Sequence, residues 1–244
     1  MSALKGRRLL VVGGAAGIGL ATVRQCVEAG AQTAVLDRDA WTAGGAPGIA
    51  LQANVRNARE IDAAVKAAAE RMQGIDGVIY CAGVDLLTTV AETRDEDWER
   101  ILDVNLTGAM RVCRAALRDF APEGGTIVLV SSAAGLRPLP DRTAYCASKA
   151  GLIMFAKAMA AELAPRSIRV NAVCPGAVET ELFRSSFRDA PDEAAARSQI
   201  RERYALQRIA DPEEMASCIV FLTSAASSYV TGIALAADGG RSFH

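Results

Sequence analysis

The chain has 244 residues, 51% of them hydrophobic, with 27 Lys and Arg against 28 Asp and Glu for a net charge of −1. That balance excludes the broad electrostatic attraction on which nucleic-acid and anionic-membrane binding depend, and no segment approaches the ~20 apolar residues that span a bilayer. A single histidine, His244, removes Ser-His-Asp and Cys-His chemistry and most histidine-containing zinc sites, and leaves Tyr and Lys as the acid/base candidates.

In chain order, residues 7–12 (RRLLVV) form an apolar strand with a basic start, followed by Gly13-Gly-Ala-Ala-Gly17-Ile-Gly19 and the helical pattern Leu20, Val23, Val27. Strand, glycines and helix come in the order that a dinucleotide site needs. Gly13 permits a tight turn, Gly17 lets backbone amides approach a pyrophosphate, and Gly19 allows close helix packing at a terminus that attracts phosphate. Residues 32–36 read as the second strand, closed by Asp37 eighteen residues after Gly19. A carboxylate near that spacing accepts hydrogen bonds from both adenosine ribose hydroxyls and repels a 2'-phosphate, so the expected cofactor is NAD rather than NADP. Arg38 is either solvated in the turn or able to approach a 2'-phosphate.

Residues 38–47, with Gly44 and Gly45, are too short and glycine-rich for a full helix and read as an abbreviated crossover. Strand three is expected at 48–52, a helix at 58–72, strand four at 75–81, helices at 95–105 and 107–120, and strand five at 126–130. A helix over 144–164 carries Tyr145 and Lys149 one turn apart on the same face, with Ser132 thirteen residues before Tyr145. An ammonium held there favours the phenolate and lowers the tyrosine pKa from about 10. Strand six follows at 168–174, an amphipathic helical lid at 179–199, a helix capped by Asp211 and starting at Pro212, and strand seven at 232–236. The fold expected is α/β: a doubly wound, parallel, seven-stranded sheet with helices on both faces, of Rossmann type, forming one domain over 1–244 with the small lid. Six cysteines without Cys-x-x-Cys spacing read as reduced residues of a cytoplasmic protein, and no metal site is expected.

Together these residues resemble the short-chain dehydrogenase/reductase family over essentially the whole chain. Gly13, Gly17 and Gly19 match its glycine turn, Ala82 and Gly83 the end of its Asn-Asn-Ala-Gly motif, and Asn105 its helix-four asparagine. Ser132, Tyr145 and Lys149 match its catalytic residues, and Pro175, Gly176 and Thr180 its nicotinamide-side loop. Val12, Tyr80 and Cys81 depart from the pattern, as does Asn54, which with Val55 replaces the usual Asp-Val beside the adenine. The resemblance implies that Tyr145 exchanges the alcohol proton and that Ser132 holds the reacting oxygen. It also implies that Lys149 lowers the tyrosine pKa and contacts the ribose, and that Asn105 holds a relaying water or bridges a helix kink. Ser131 is a rival to Ser132. Ile18 and Val178 join the implied cofactor contacts, and Thr180 either bonds the carboxamide or caps a helix.

The implied reaction is hydride transfer between NAD(H) and the carbinol or carbonyl carbon of a small or medium alcohol or ketone, by a homotetramer. The expected substrate lining is Asp85, Leu86, Ala134, Leu136, Arg137, Leu139, Arg142, Phe183, Arg184 and Phe187. The alternatives are a 3-oxoacyl carrier-protein reductase, opposed by Asp37, and a non-catalytic dinucleotide-sensing regulator, opposed by the intact Ser132, Tyr145 and Lys149.

Overall fold

The computed structural model describes residues 3–42, 48–187 and 191–243. Seven strands, β1 (Arg8–Val12), β2 (Gln32–Asp37), β3 (Ile49–Gln52), β4 (Gly77–Tyr80), β5 (Gly125–Val130), β6 (Ile168–Pro175) and β7 (Ala234–Ala237), form one sheet in the order β3-β2-β1-β4-β5-β6-β7. Every pairing is parallel. The winding reverses between β1 and β4, which opens a crevice at the carboxyl ends of these strands.

Side-chain alternation along the strands divides the core into two. Leu10, Val12, Val78 and Tyr80 belong to the cluster under α2 (Ala58–Met72), α4 (Gly108–Ala116) and α5 (Thr143–Leu163). Leu9, Val11 and Ile79 point the other way, under α1 (Gly17–Glu28) and α8 (Pro212–Thr223). Burial on both faces explains why these strands read as unbroken apolar runs, and each fully buried Leu or Ile contributes roughly 1.5–3 kcal/mol. Glu214 accepts the Asp211 N–H at 2.9 Å just before α8.

Three elements differ from the sequence expectation. Strand four begins at Gly77, because Asp76 turns its carboxylate to Arg8 at 2.6 Å, and Ile75 keeps only an isolated bridge to Phe120. The two helices expected at 95–105 and 107–120 are continuous: α3 (Asp95–Leu102) runs through a π-turn at Asp103–Thr107 into α4, which ends at Ala116. Strand seven starts at Ala234, since Gly232 has φ +74° and the Ile233 N–H donates to the Asn171 side chain. The crossover read at 38–47 falls partly outside the described residues, as does the middle of the lid. On either side of that gap are α6 (Glu181–Ser185) and α7 (Glu193–Arg201). Arg197 of α7 pairs with Glu179, and its guanidinium lies 5.5 Å from the Phe183 ring and 5.8 Å from the Phe187 ring. Among the described residues no helix is long and apolar enough to cross a membrane.

Candidate active site

The glycine turn, Asp37, Ser132 and the Pro175-Gly176 loop emerge at the carboxyl ends of strands, whereas Tyr145 and Lys149 are presented by α5 and Asn105 by the π-turn. The glycine turn follows β1. Gly13 and Gly17 take φ +75° and +51°, and a Cβ on Gly19 would lie 1.9 Å from the Gly13 carbonyl oxygen, so side chains are excluded there by geometry. The α1 N-terminus has neither a capping side chain nor an acidic residue in its first turn, so its amides are available to an anion. Gly17 faces Thr180 across the cleft, and a Cβ on it would stand 3.1 Å from Thr180 Cγ2.

Asp37 closes β2 and accepts the Ala15 N–H at 2.9 Å and the Asp39 N–H at 3.1 Å. A carboxylate has about four acceptor positions, so these bonds fix its orientation and leave capacity for hydroxyl donors. Arg38 turns to Asp39 at 3.3 Å. A depression of about 220 Å³ beside Asp37 is lined by Ala15, Trp41 and Gln52. Trp41 was read from the sequence only as part of the short crossover and not as a cofactor contact, and neither Asn54 nor Val55 lines this depression. The Asn54 side-chain oxygen accepts the Arg56 N–H at 3.0 Å, and Val55 packs on Gly108. These features fit a nicotinamide dinucleotide: a glycine cradle, an uncapped helix terminus and a polar side chain beyond it to meet the adenosine ribose.

Ile18, Gly83, Pro175, Gly176, Val178 and Thr180 meet Ser132, Tyr145 and Lys149 at one cavity of about 200 Å³. Ala82 packs behind it, where a Cβ on Gly13 would lie 2.5 Å from the Ala82 nitrogen. The two serines after β5 divide their work. Ser131 donates to the Lys149 carbonyl at 2.8 Å and anchors α5, whereas Ser132 accepts the Ala134 N–H at 3.1 Å and bonds toward the Tyr145 phenol. Lys149 is 4% exposed and donates from Nζ to the Val130 carbonyl at 3.0 Å, 5.7 Å from the Tyr145 ring centroid. Burial pushes the lysine down to about 8. The expected depression of the tyrosine is not found: burial pushes Tyr145 up to about 12, opposed by the Ser132 hydrogen bond. Removing a phenolate from water costs more here than the Ser132 hydrogen bond and the Arg142 charge return.

Asn105 sits in the π-turn. Its Oδ1 accepts the Val84 N–H at 2.8 Å, and Nδ2 donates to the Val84 carbonyl at 2.9 Å and to Ser148 Oγ at 3.0 Å. It therefore ties the loop after β4 to α5. Tyr80, at a position where the family pattern has asparagine, is fully buried and donates its hydroxyl to the Val104 carbonyl at 2.6 Å. Gly108 makes room for that hydroxyl, since a Cβ there would lie 2.5 Å from it.

Thr180 Oγ1 accepts the Phe183 N–H at 3.2 Å and so caps α6. Of the expected substrate lining, the cavity gathers Asp85, Ala134, Leu139, Arg142 and Phe183. Arg142 Nε stands 2.9 Å from Asp85. Among the described residues Leu86, Leu136, Arg137, Arg184 and Phe187 do not line it; Phe187 instead packs edge-on to Phe183, with ring centroids 4.9 Å apart. Leu182 and Ser186, read from the sequence as part of the amphipathic face of the lid, line it too, whereas Ile200, Arg203, Tyr204 and Arg241 line it without having been read from the sequence. All six cysteines are free thiols, and burial pushes Cys26, Cys81 and Cys113 up to about 12. Among the described residues no cluster of His, Cys, Asp and Glu could hold a metal ion.

The sequence profile described as Enoyl-(Acyl carrier protein) reductase matches residues 13–242. The chain is 34% identical to 2-(S)-hydroxypropyl-CoM dehydrogenase 3 of Xanthobacter autotrophicus, over 97% of each chain. Its fold is similar to the ligand-free aldohexose dehydrogenase of Thermoplasma acidophilum, with a TM-score of 0.94, 28% identity, and coverage of 100% and 96% of the two chains. It is also similar to the 3-ketoacyl-(acyl-carrier-protein) reductase of Brucella melitensis complexed with NADH, with a TM-score of 0.90, 29% identity, and coverage of 98% and 100%. Profile, relatives and fold agree with the residues assembled at the crevice: the chain belongs to the short-chain dehydrogenase/reductase family of oxidoreductases.

Proposed function

We propose that this enzyme oxidises a small or medium secondary alcohol with NAD, with Tyr145 as the general acid/base. The observation that carries the reading is the convergence of Ser132, Tyr145 and Lys149 on one cavity with the Pro175, Gly176 and Thr180 loop. Gly13, Gly17, Gly19 and the open α1 terminus would hold the pyrophosphate, Asp37 the adenosine ribose, and the loop after β6 the nicotinamide end. When bound, the nicotinamide supplies the hydride acceptor or donor.

The remaining chemistry belongs to the chain. Ser132 Oγ holds the reacting oxygen, and Tyr145 Oη removes its proton in oxidation or returns it in reduction. At neutral pH burial keeps the phenol protonated and ready to donate. Oxidation requires the Tyr145 and Lys149 pair to shed one proton; once Lys149, at about 8, is neutral, its amine can take the phenol proton as Tyr145 Oη takes the proton of the alcohol. Gly83 lies between Lys149 Nζ and Asn105 Oδ1, where a Cβ would come within 3.3 and 3.5 Å of them; this space would suit a relaying water.

NAD over NADP is supported by the fixed Asp37 carboxylate and by Arg38 facing Asp39. Oxidation is the direction that suits NAD, which cells keep mostly oxidised. The second reading, reduction of a 3-oxoacyl carrier-protein substrate, is favoured by the similarity to the Brucella reductase. We place the enzyme in the cytoplasm as a homotetramer, paired through α4 and α5, which carry many small and apolar residues.

The test is NAD reduction with polyols, hydroxy acids and secondary alcohols, in the wild type and in Tyr145→Phe. The variant is expected to keep dinucleotide binding and to lose at least ~100-fold in turnover. Near-normal turnover would overturn the assignment.

A further inference from the structure

The cavity is strongly unbalanced in charge. Arg142, Lys149, Arg203 and Arg241 line it against one carboxylate, Asp85, and Asp85 already faces Arg142 at 2.9 Å. Arg241 is the anomaly. It is 6% exposed, and among the described residues its guanidinium makes one hydrogen bond, a long one of 3.3 Å to the Pro138 carbonyl, and no ion pair. The neighbouring acid forms no ion pair with it among the described residues; Asp238 is instead oriented by the Gly240 and Ser242 amides at 3.0 and 2.8 Å. A largely buried arginine whose guanidinium has no carboxylate partner is suited to binding an anion.

The surroundings hold Arg241 in place. Arg137 donates to the Arg241 carbonyl at 3.0 Å, and a shallow depression lined by Arg137, Arg203 and Arg241, with Glu202 as its one acid, adjoins the cavity. Arg203 reaches the same space from the segment after α7, and among the described residues it too forms no ion pair. Arg142 contributes little further, because its Nε is buried beside Asp85 without a well-aligned hydrogen bond. Two guanidiniums without carboxylate partners thus share a cavity with Ser132 and Tyr145.

We propose that the substrate is a compact anion, a hydroxy or oxo compound whose carboxylate or phosphate is held by Arg203 and Arg241 while its carbinol oxygen lies between Ser132 and Tyr145. This rests on the oxidoreductase reading above and specifies its substrate class. A volume of about 200 Å³ favours a substrate of a few carbon atoms, and paired guanidiniums suit the planar, bidentate recognition of carboxylate or phosphate oxygens.

The experiment has two arms. In the first, NAD-dependent oxidation of 3-hydroxybutyrate and of 2-hydroxypropyl phosphate is compared with that of uncharged pentan-2-ol; the two acids distinguish a carboxylate from a phosphate as the preferred group. At least one acid should exceed pentan-2-ol at least ~10-fold in kcat/KM, and that ratio should fall at least ~10-fold in Arg203→Gln and recover in Arg203→Lys. In the second arm, calorimetric titration of the NADH-saturated enzyme with malonate should show binding that weakens at least ~10-fold in Arg203→Gln. Arg203 is exposed, so this variant tests the site even where Arg241→Met fails to fold. Tyr145-dependent oxidation of pentan-2-ol with no preference for either acid, and malonate binding that is absent or unchanged by Arg203→Gln, would overturn the anion subsite and leave the oxidoreductase reading standing. Malonate binding without oxidation of any probe would do the reverse.

Discussion

Replacing Tyr80 with Phe removes a single oxygen from the centre of the molecule, and the structure sets the size of the effect. The hydroxyl of the fully buried Tyr80 donates to the carbonyl of the partly buried Val104 at 2.6 Å. Its loss removes that donor from the carbonyl, at a cost of about 1 kcal/mol or more. For a chain of this length each kcal/mol lowers Tm by about 2–4 °C, so thermal denaturation should begin at least 2 °C earlier. Gly108→Ala approaches the same point from the other side: its Cβ would lie 2.5 Å from the Tyr80 hydroxyl and 3.0 Å from Val55 Cβ, an overpacking that costs about 1–3 kcal/mol. Because Tyr80→Phe removes the nearest clashing atom, the double variant should be less destabilised than the sum of the singles by at least ~0.5 kcal/mol. Calorimetric melting of the four proteins measures this coupling. A Tyr80→Phe protein melting within about 1 °C of the wild type, or strictly additive effects, would refute the proposal that this hydroxyl braces the π-turn carrying Asn105.

Three further outcomes are expected. Asp37→Ala should lower the NAD-to-NADP ratio of kcat/KM at least ~10-fold, because the repulsion of a 2'-phosphate goes while the glycine turn also loses its hold on Ala15; a wild-type preference for NADP would reject this assignment. The rate of alcohol oxidation should rise through about pH 8 as Lys149 releases its proton, and in Lys149→Ala the rise should move up toward the tyrosine value of about 12; an unshifted profile in the variant would leave the lysine a binding role alone. Light scattering at micromolar concentration should give about four times the 25.6 kDa protomer mass, and a particle of protomer mass would contradict the tetramer.

Sequence alone determined what depends on a few adjacent residues. The glycine turn, Asp37 at its strand end and the Tyr145 and Lys149 pair were legible because backbone sterics, strand ends and the helical repeat act over short spans. The alternation of apolar strands with helices carried the parallel sheet for the same reason. Other features were decided only when the chain packed. Tyr80 could be read as a departure from the family pattern, but its partner Val104 lies 24 positions away and meets it only where α3 turns into α4 across β4. Arg203 and Arg241 had no local signature, since they join Tyr145 at one cavity from distant polar segments and their lack of carboxylate partners is a property of the packed chain. The Tyr145 phenol gave the opposite result to the expectation from its neighbour on the helix. Spacing supplies the nearby lysine charge, but the cost of burying a phenolate is set by every element that encloses it, and here that cost is the larger.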